Sequence, residues 1–443
     1  MMSNVSALII GSGYNAHGLA RSLHAVGVPC YGFDDSAAPL LEKSRLFHDR
    51  QLVSSALTFE AKRAALLTWV EQLPNPVVLF PTDERWLVDC LEHSDRYQRA
   101  GVVIPCANPQ AALLCADKTR FKQWCQQQRV CTAKAIGYGK GDSWPAYQRV
   151  VEGMSFPIVV KPTTKGDNQT ALGFSFYELF ETVPDFLAWA DARGSQGPSC
   201  DILAEEFIAG PVTSLVSLQG YVDRGGNILA SQYRKLSQTE GFLGCGNVAQ
   251  IEACDAELLR LTKSILGKLG FHGFFDIEFK LSGPRNTPYL IEINPRACML
   301  NFAATRMGCN LPAAAISDMC PELKLELPDV SIPSEPWVWC RHLPHLVDSL
   351  RATASVRPVL WASGFAKHWW QPLAGKRRND PMLMWRDVSP YRNLCGYLLG
   401  KALRKCLQKC FRLRAAAKPG NGHRPGEGRP VATLQASSTN RAA

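Results

Sequence analysis

The chain has 443 residues, of which 46% are hydrophobic and 20% charged, and this composition predicts a soluble protein with roughly two to four packed units. Its 16 cysteines are scattered and include no CxxC pair, and no segment approaches the roughly 18 apolar residues of a membrane-spanning helix, so we expect a cytoplasmic protein with reduced thiols. Most of the net charge of +10 lies after Gly396, which excludes a basic nucleic-acid-binding surface on the rest of the chain.

The first 108 residues alternate apolar, strand-like runs with helical segments. Strands are predicted at 7–10, 28–33, 77–80 and 101–104. This alternation is typical of a parallel, doubly wound α/β domain, in which ligands collect at the carboxyl ends of the strands. We therefore predict a Rossmann-like domain over residues 1–108.

A glycine-bearing turn follows the first predicted strand, at Gly11-Ser-Gly-Tyr-Asn-Ala-His-Gly18. Asp34 and Asp35 lie about twenty residues further on, as in proteins that bind a dinucleotide, so a nucleotide-sugar or NAD-dependent enzyme is one interpretation. The third glycine comes late for that motif, however, and this interpretation leaves later strands and lysines unexplained. Asp83, after the strand at 77–80, either caps the next helix or holds a substrate ammonium.

Two lysines stand at the edges of predicted elements in the middle of the chain. Asp117 and Lys118 open a polar helix, and Lys161 follows the apolar run at 156–160. A lysine at the end of an apolar strand has its stem packed and its ammonium held in place, which suits a polyanionic ligand. The small polar loop at 163–170 comes next, and its backbone N–H groups and hydroxyls suit phosphate oxygens.

The most specific pattern is the alternation of Glu292, Asn294 and Arg296 along a predicted strand. Because strand side chains alternate, these three share one face. A second acidic strand at 273–280 precedes a loop that can close a hairpin, which would place Glu278 near Glu292. Carboxylate and amide oxygens suit Mg²⁺ or Mn²⁺, and an adjacent arginine binds phosphate oxygens. The pattern therefore predicts a metal site at Glu278, Glu292 and Asn294.

Together these features resemble the ATP-grasp superfamily, in particular carboxylate-amine ligases such as D-aspartate ligases, and the large chain of carbamoyl phosphate synthase. The resemblance runs from about Asp117 to Met319 and includes a hinge-like segment at 203–210. It implies an α/β and α+β architecture with three parts: a doubly wound pre-ATP-grasp domain at 1–108, a two-lobed ATP-grasp domain at 109–327 with its small lobe at about 151–210, and a C-terminal appended subdomain at 328–393.

The resemblance also implies a role for each residue of the site. Nucleotide binding would fall to two lysines, a loop that closes over the phosphates and a hinge that meets the adenine: Lys118, Lys161, Thr164, Gly166, the side chain of Glu205, and the backbone of Glu206, Phe207 and Ile208. Cationic side chains would act on the γ-phosphate or the acylphosphate: Arg234, Lys235 and Arg296. Glu278, Glu292 and Asn294 would hold the metal.

Proteins of this kind use ATP and Mg²⁺ to activate a carboxylate as an acylphosphate, which an amine then attacks. The resemblance therefore implies an enzyme that joins a small-molecule carboxylate to an amine, with an amino acid or another small metabolite as substrate. A phosphotransferase that stops at the phosphorylated product is the alternative within the superfamily. The identity of both substrates and the oligomeric state, with a homodimer as one option, stay open.

The end of the chain has a different composition. Residues 394–415 repeat apolar residues, with Lys401, Lys405 and Lys409 along one flank, which predicts a basic amphipathic helix. Such a helix either docks on its own domain or contacts an anionic membrane at its inner face through residues 394–414. From 416 to 443 the chain is rich in Gly, Pro, Ser and Ala, so we expect a disordered tail.

Overall fold

A computed structural model describes residues 5–36, 44–164, 172, 177–239, 246–323, 325, 337–353, 373, 377–379 and 395. All of these belong to one compact unit, residues 1–395. The predicted basic helix at 394–415, apart from Cys395, and the predicted tail at 416–443 lie outside the described residues. No helix in the described part of the chain combines the length and the hydropathy needed to cross a bilayer.

The first sheet is parallel and has five strands in the order β3-β2-β1-β4-β5. Its strands are β1 (Ser6–Ile10), β2 (Cys30–Asp34), β3 (Asp49–Leu52), β4 (Val77–Pro81) and β5 (Val102–Val103), and its helices are α1 (Gly13–His24), α2 (Phe59–Val70), α3 (Glu84–Glu92) and α4 (Ser94–Arg99). Every residue of β1, β2 and β4 is buried, as expected for strands covered by helices on both faces. The predicted doubly wound fold is confirmed.

Two helices, α5 (Pro109–Ala116) and α6 (Lys118–Gln127), lead into a second, smaller sheet. The predicted start of α6 is correct, because the Asp117 carboxylate accepts a hydrogen bond from the Arg120 N–H at 3.0 Å and so caps the helix. The small sheet is antiparallel, in the order β6-β9-β7-β8. Its elements are β6 (Ala135–Tyr138), α7 (Trp144–Glu152), β7 (Ile158–Pro162), β8 (Glu178–Phe180), α8 (Val183–Asp191), a 3-10 turn (Gly194–Gln196) and β9 (Ile202–Glu206).

The third sheet has seven strands in the order β14-β13-β10-β11-β12-β15-β16. After a 3-10 turn (Val212–Ser214), its elements are β10 (Leu215–Val222), β11 (Ile228–Gln238), β12 (Gly246–Glu252), α9 (Ala256–Leu269), β13 (Gly273–Ser282), β14 (Thr287–Asn294), α10 (Asn301–Thr305), α11 (Leu311–Met319), β15 (Trp337–Cys340), α12 (His342–Thr353) and β16 (Arg377–Asn379). The described strands of the predicted appended subdomain therefore extend this sheet, with β15 antiparallel to β12. The domain boundaries themselves stay predictions.

The first domain packs directly on the large sheet and its helices. One apolar cluster joins Ile9 and Phe80 of the first sheet to Phe274 of β13 and Ile316 of α11. At its edge, the Asn15 side-chain amide donates to the backbone carbonyls of Thr82 (3.1 Å) and Ala297 (2.8 Å), and its oxygen accepts from Asn301 at 2.9 Å. These contacts hold the carboxyl ends of β1 and β4 against the end of β14.

Candidate active site

A cleft of about 730 Å³ lies where the three sheets meet. Most of the predicted site residues line it: Lys118, Lys161, Glu205, Glu206, Phe207, Ile208, Lys235, Glu278, Glu292, Asn294 and Arg296. The first domain contributes the turn at 11–15 and the residues that follow β2 and β4. The fold thus brings together, from segments more than a hundred residues apart, the groups that the sequence pattern selected.

The hairpin of β13 and β14 forms one wall of the cleft. In its antiparallel register Glu278 pairs with Glu292 and Asp276 pairs with Asn294, so these side chains share a face. The Asn294 side-chain amide donates to Glu292 Oε1 at 3.0 Å. No cluster of three or more His, Cys, Asp and Glu side chains able to hold a metal occurs in the described parts of the chain. Two carboxylates and an amide nevertheless fit Mg²⁺, which takes few protein oxygens and completes its shell with phosphate and water.

Lys235 of β11 faces the hairpin and lies 2.5 Å from Glu278 Oε2. Burial would lower the pKa of Lys235, but Glu278, together with Glu292 and Asp276, outweighs it and raises that pKa. The ammonium therefore stays charged at neutral pH. It is held within reach of any anion bound between β11 and the hairpin.

Glu205 forms two ion pairs on the wall of the cleft. Its Oε2 lies 2.5 Å from Lys161 Nζ, and its Oε1 is bound by Lys122. Burial would raise the pKa of Glu205, but these two lysines outweigh it and lower that pKa. Both oxygens are thus engaged by ammonium groups, and the contact of this side chain with an adenine amine stays a prediction. Glu205 holds Lys161 in position along the wall of the cleft.

Lys118 stands at the first turn of α6, beside the end of β7. Its backbone N–H and its ammonium both donate to the Thr163 carbonyl, at 3.2 and 3.3 Å. This contact ties the helix start to the strand that carries Lys161. Thr164, the next residue, is exposed and lies outside the cleft lining, whereas Gly166 falls outside the described residues.

The hinge after β9 offers backbone groups to a ligand. The N–H groups of Glu206 and Phe207 donate to the carbonyls of Lys134 and Pro157, each at 2.9 Å. Within the described chain the Ile208 N–H has no such acceptor, so it is available to a ring nitrogen. Lys280 secures the far side of this hinge by donating to the carbonyls of Gly210 (2.9 Å) and Pro211 (3.0 Å).

The structure does not support the predicted role of Arg234 at the phosphates. Because β11 alternates its faces, Lys235 points into the cleft and Arg234 points away from it. The Arg234 guanidinium donates to Glu252 Oε1 at 2.9 Å and to the Thr213 carbonyl at 3.0 Å. It joins strands on the opposite face of the sheet and does not line the cleft.

Sequence reasoning missed three residues of the site: Lys122, Asp276 and Lys280. In each case the spacing in the sequence could have indicated the residue. Lys122 lies one helical turn after Lys118, and Asp276 and Lys280 lie two residues on either side of Glu278, on the same strand face. Tyr233 completes this group, since its hydroxyl donates to Asp276 Oδ1 at 2.8 Å.

The glycine turn after β1 has structural reasons for its composition. Gly11 has φ +105°, and a Cβ at this position would collide with Thr82 Oγ1. A Cβ at Gly18 would lie 2.7 Å from the Asn301 side chain of α10. Asp35, the candidate ribose ligand, is bound by Lys62 (3.0 Å) and Arg85 (3.3 Å). Packing and ion pairing therefore account for the pattern that suggested a dinucleotide site.

No family model and no curated protein sequence matches this chain. Solved structures do. The ADP complex of an N5-carboxyaminoimidazole ribonucleotide synthetase is 14% identical, with a TM-score of 0.60, and the match covers 80% of this chain and 86% of that one. The L-amino acid ligase from Bacillus licheniformis is 15% identical, with a TM-score of 0.55 and coverage of 75% and 78%. The biotin carboxylase domain of the Hydrogenobacter thermophilus 2-oxoglutarate carboxylase, solved with MgADP and bicarbonate, is 14% identical, with a TM-score of 0.58 and coverage of 76% and 74%. These likenesses confirm the predicted ATP-grasp fold.

Proposed function

We propose that this chain, which has the ATP-grasp fold, is an ATP- and Mg²⁺-dependent ligase that joins a small-molecule carboxylate to an amine. One observation carries the proposal. The β13–β14 hairpin places Glu278 opposite Glu292, with Asn294 beside them, in the same cleft as Lys118 and Lys161. Paired carboxylates facing cationic side chains are the arrangement that a metal-bound triphosphate requires.

We assign each group of residues in the cleft a role according to its position. The Ile208 N–H and the Glu206 carbonyl would meet the edge of the adenine, while Lys118 and Lys161 would bind phosphate oxygens. A Mg²⁺ ion at Glu278, Glu292 and Asn294 would neutralise the phosphates during phosphoryl transfer. Lys235, which binds Glu278, and Arg296, which binds Asn294, lie beside the proposed metal ligands and would stabilise negative charge on the transferring group.

The proposed reaction has two steps. A carboxylate oxygen attacks the γ-phosphorus of ATP, the bond to the β-phosphate oxygen breaks, and an acylphosphate and ADP form. An uncharged amine then attacks the acyl carbon, phosphate leaves, and the nitrogen loses a proton as the amide forms. Both steps gather negative charge in the cleft, so Lys161, Lys235 and Arg296 stabilise the transition states by their charge.

A cytoplasmic location is part of the proposal. Each cysteine in the described part of the chain is a free thiol, and this agrees with a reducing compartment. The membrane contact considered for residues 394–414 falls outside the described residues.

The test uses the full chain with ATP, Mg²⁺ and a panel of carboxylates and amines. We expect release of ADP and phosphate that requires one member of each class, together with a product lighter by one water than its two substrates. Glu292→Gln should lower the rate by about 100-fold, because it removes one carboxylate from the metal set.

Glu252→Gln is the matched control, since Glu252 binds Arg234 outside the cleft. This variant should keep the rate within about twofold. An unchanged rate for Glu292→Gln would contradict the proposal. ADP release with a carboxylate alone, accompanied by a stable phosphorylated product, would identify a phosphotransferase instead.

A further inference from the structure

The end of the cleft nearest the first domain is built where β4 and β14 end. The Asn15 amide bridges the carbonyls of Thr82 and Ala297, so the next side chains along each segment, Asp83 and Arg296, are held on the same end of the cleft. The first domain contributes this part of the cleft, whereas the hinge follows β9 of the small sheet. A ligand other than the nucleotide would lie here.

Asp83 is a partly buried carboxylate without an ion pair. Its Oδ1 caps α3 by accepting from the Trp86 N–H at 2.9 Å, but in the described structure no Lys, Arg or His nitrogen lies within 4.0 Å of its oxygens. Burial is the main cause that raises the pKa of Asp83, and the nearby Asp35 raises it further, whereas the Trp86 hydrogen bond and the charges of Arg85 and Arg296 lower it. A cation arriving at this carboxylate would therefore gain both a charge partner and a hydrogen-bond acceptor.

Arg296 is a cationic side chain of the same end of the cleft and also lacks an ion pair in the described structure. Its guanidinium makes two long hydrogen bonds to neutral oxygens, the Ala297 carbonyl at 3.3 Å and Asn294 Oδ1 at 3.4 Å. Its Nε is buried without a partner, and no Asp or Glu oxygen of the described chain lies within 4.0 Å of it. A guanidinium held in this way keeps N–H groups that can donate to a carboxylate.

Three other carboxylates of the cleft are already neutralised by ion pairs. Glu278 binds Lys235, Glu205 binds Lys161, and Asp35 binds Lys62 and Arg85. Asp83 and Arg296 face the same space and bind neither each other nor any other charged side chain of the described residues. Charges of both signs in one cleft, neither with an ion-pair partner within 4.0 Å among the described residues, suit a ligand that carries both signs itself.

We propose that the carboxylate substrate is an amino acid, whose carboxylate binds Arg296 beside the metal set and whose ammonium binds Asp83. This inference depends on the proposed ligase function for the fate of that carboxylate. Trp339, which is fully buried and packs edge to ring with Tyr14 at 6.1 Å, lines the same end and gives the amino-acid side chain an apolar wall. Recognition of the ammonium excludes simple carboxylic acids as good substrates.

The experiment measures binding directly, by calorimetry on the full chain saturated with ADP and Mg²⁺. The probes are the standard L-amino acids, their D enantiomers, β-alanine and γ-aminobutyrate, followed by the desamino and N-acetyl counterparts of whichever binds best. We expect at least one amino acid to bind, and its desamino and N-acetyl counterparts to bind at least about tenfold more weakly, because each lacks the ammonium.

Asp83→Asn is the informative variant, because asparagine caps a helix as well as aspartate does and the change removes only the charge. It should weaken amino-acid binding by about tenfold or more, leave binding of the desamino counterpart within about twofold, and leave ADP binding unchanged. Asp255→Asn is the control, since Asp255 caps α9 in the same way but lies outside the cleft. It should change none of these affinities.

Each outcome separates this inference from the ligase proposal. Equal binding of amino and desamino acids, full affinity in Asp83→Asn, or no amino-acid binding by a chain that binds ADP would overturn the amino-acid site. Amino-acid binding that depends on Asp83, without any release of phosphate from ATP, would preserve the site and overturn the ligase function.

Discussion

Asp276 shows how the cleft alters a single carboxyl group. Burial raises its pKa to about 6, although the Tyr233 hydrogen bond opposes this, and Glu278 raises it further. The folded-state pKa exceeds the ordinary value of about 3.9. The contribution of this carboxyl group to folding stability is therefore complete below pH of about 4 and is lost as the pH rises through about 6. We therefore expect the free energy of unfolding of the wild-type chain, measured with urea, to fall by about 1 kcal/mol relative to that of Asp276→Asn between pH 5 and 7.5.

The substitution keeps an oxygen that accepts from Tyr233, so the two proteins differ mainly in the titrating charge. Other groups titrate in both proteins and cancel in the difference. A difference in unfolding free energy that stays constant over this pH range would show that Asp276 does not titrate there.

Lys122 illustrates a residue that acts through others. Its buried ammonium binds Glu205 and Thr132 and donates to the Leu290 carbonyl at 3.3 Å. Lys122→Met would leave Glu205 with Lys161 as its remaining cation, so we expect a loss of about 3 kcal/mol in unfolding free energy. We also expect weaker ATP binding, by about tenfold, because Lys161 would be drawn toward Glu205.

The control for this variant is Lys268→Met, which removes an exposed ammonium whose contact with the Gln128 carbonyl is 3.2 Å long. Surface changes of this kind alter stability by about 0.5 kcal/mol or less. If Lys122→Met matched the control in both measurements, the ion pairs that join Lys122, Glu205 and Lys161 would contribute neither to stability nor to ATP binding.

At the scale of elements, β11 provides a test within one strand. Lys235 and Arg234 are adjacent and equally charged, yet period two sends Lys235 into the cleft and Arg234 to Glu252 on the other face. We expect Lys235→Gln to lower the rate of ATP-dependent phosphate release by about 100-fold and Arg234→Gln by less than about threefold, in the same assay. The opposite ranking would mean that Arg234, rather than Lys235, acts on the phosphate.

Strand periodicity also sets the limit of what the sequence could predict. Alternation predicted that Glu292, Asn294 and Arg296 would share a face, and the short loop predicted that Glu278 would lie opposite Glu292. The strand β3 was missed because its residues, Asp-Arg-Gln-Leu, form a polar edge with no apolar pattern. Lys122 was missed because a lysine on a polar helix is usually solvated, and its burial depends on contacts with Leu290 and Glu205, far away in the chain.

The part of the candidate active site that the sequence could not predict depends on packing between distant segments. Whether Asp83 caps a helix or meets a ligand could not be decided from its neighbours, because both roles follow from its place after β4. The structure shows that it caps α3 and also lines the cleft, since Asn15 and Asn301 hold the first domain against the end of β14. Contacts of this kind join residues nearly three hundred positions apart, and local sequence patterns do not predict them.

At the scale of the whole molecule, Asn15 therefore links stability to the geometry of the cleft. Asn15→Ala removes the hydrogen bonds of this side chain to the Thr82 carbonyl, the Ala297 carbonyl and the Asn301 amide, so we expect a loss of about 2 kcal/mol in unfolding free energy, measured by urea unfolding. Asn227→Ala is the control, because its side chain donates to Asp223 within an exposed turn, and it should cost about 0.5 kcal/mol or less. Since Asp83 and Arg296 are positioned by the same amide, Asn15→Ala should also weaken amino-acid binding. ADP should keep its affinity, because we propose that it binds the hinge and the lysines of the other lobes. Equal losses for both ligands would mean that Asn15 supports the fold as a whole rather than the relative placement of the two segments.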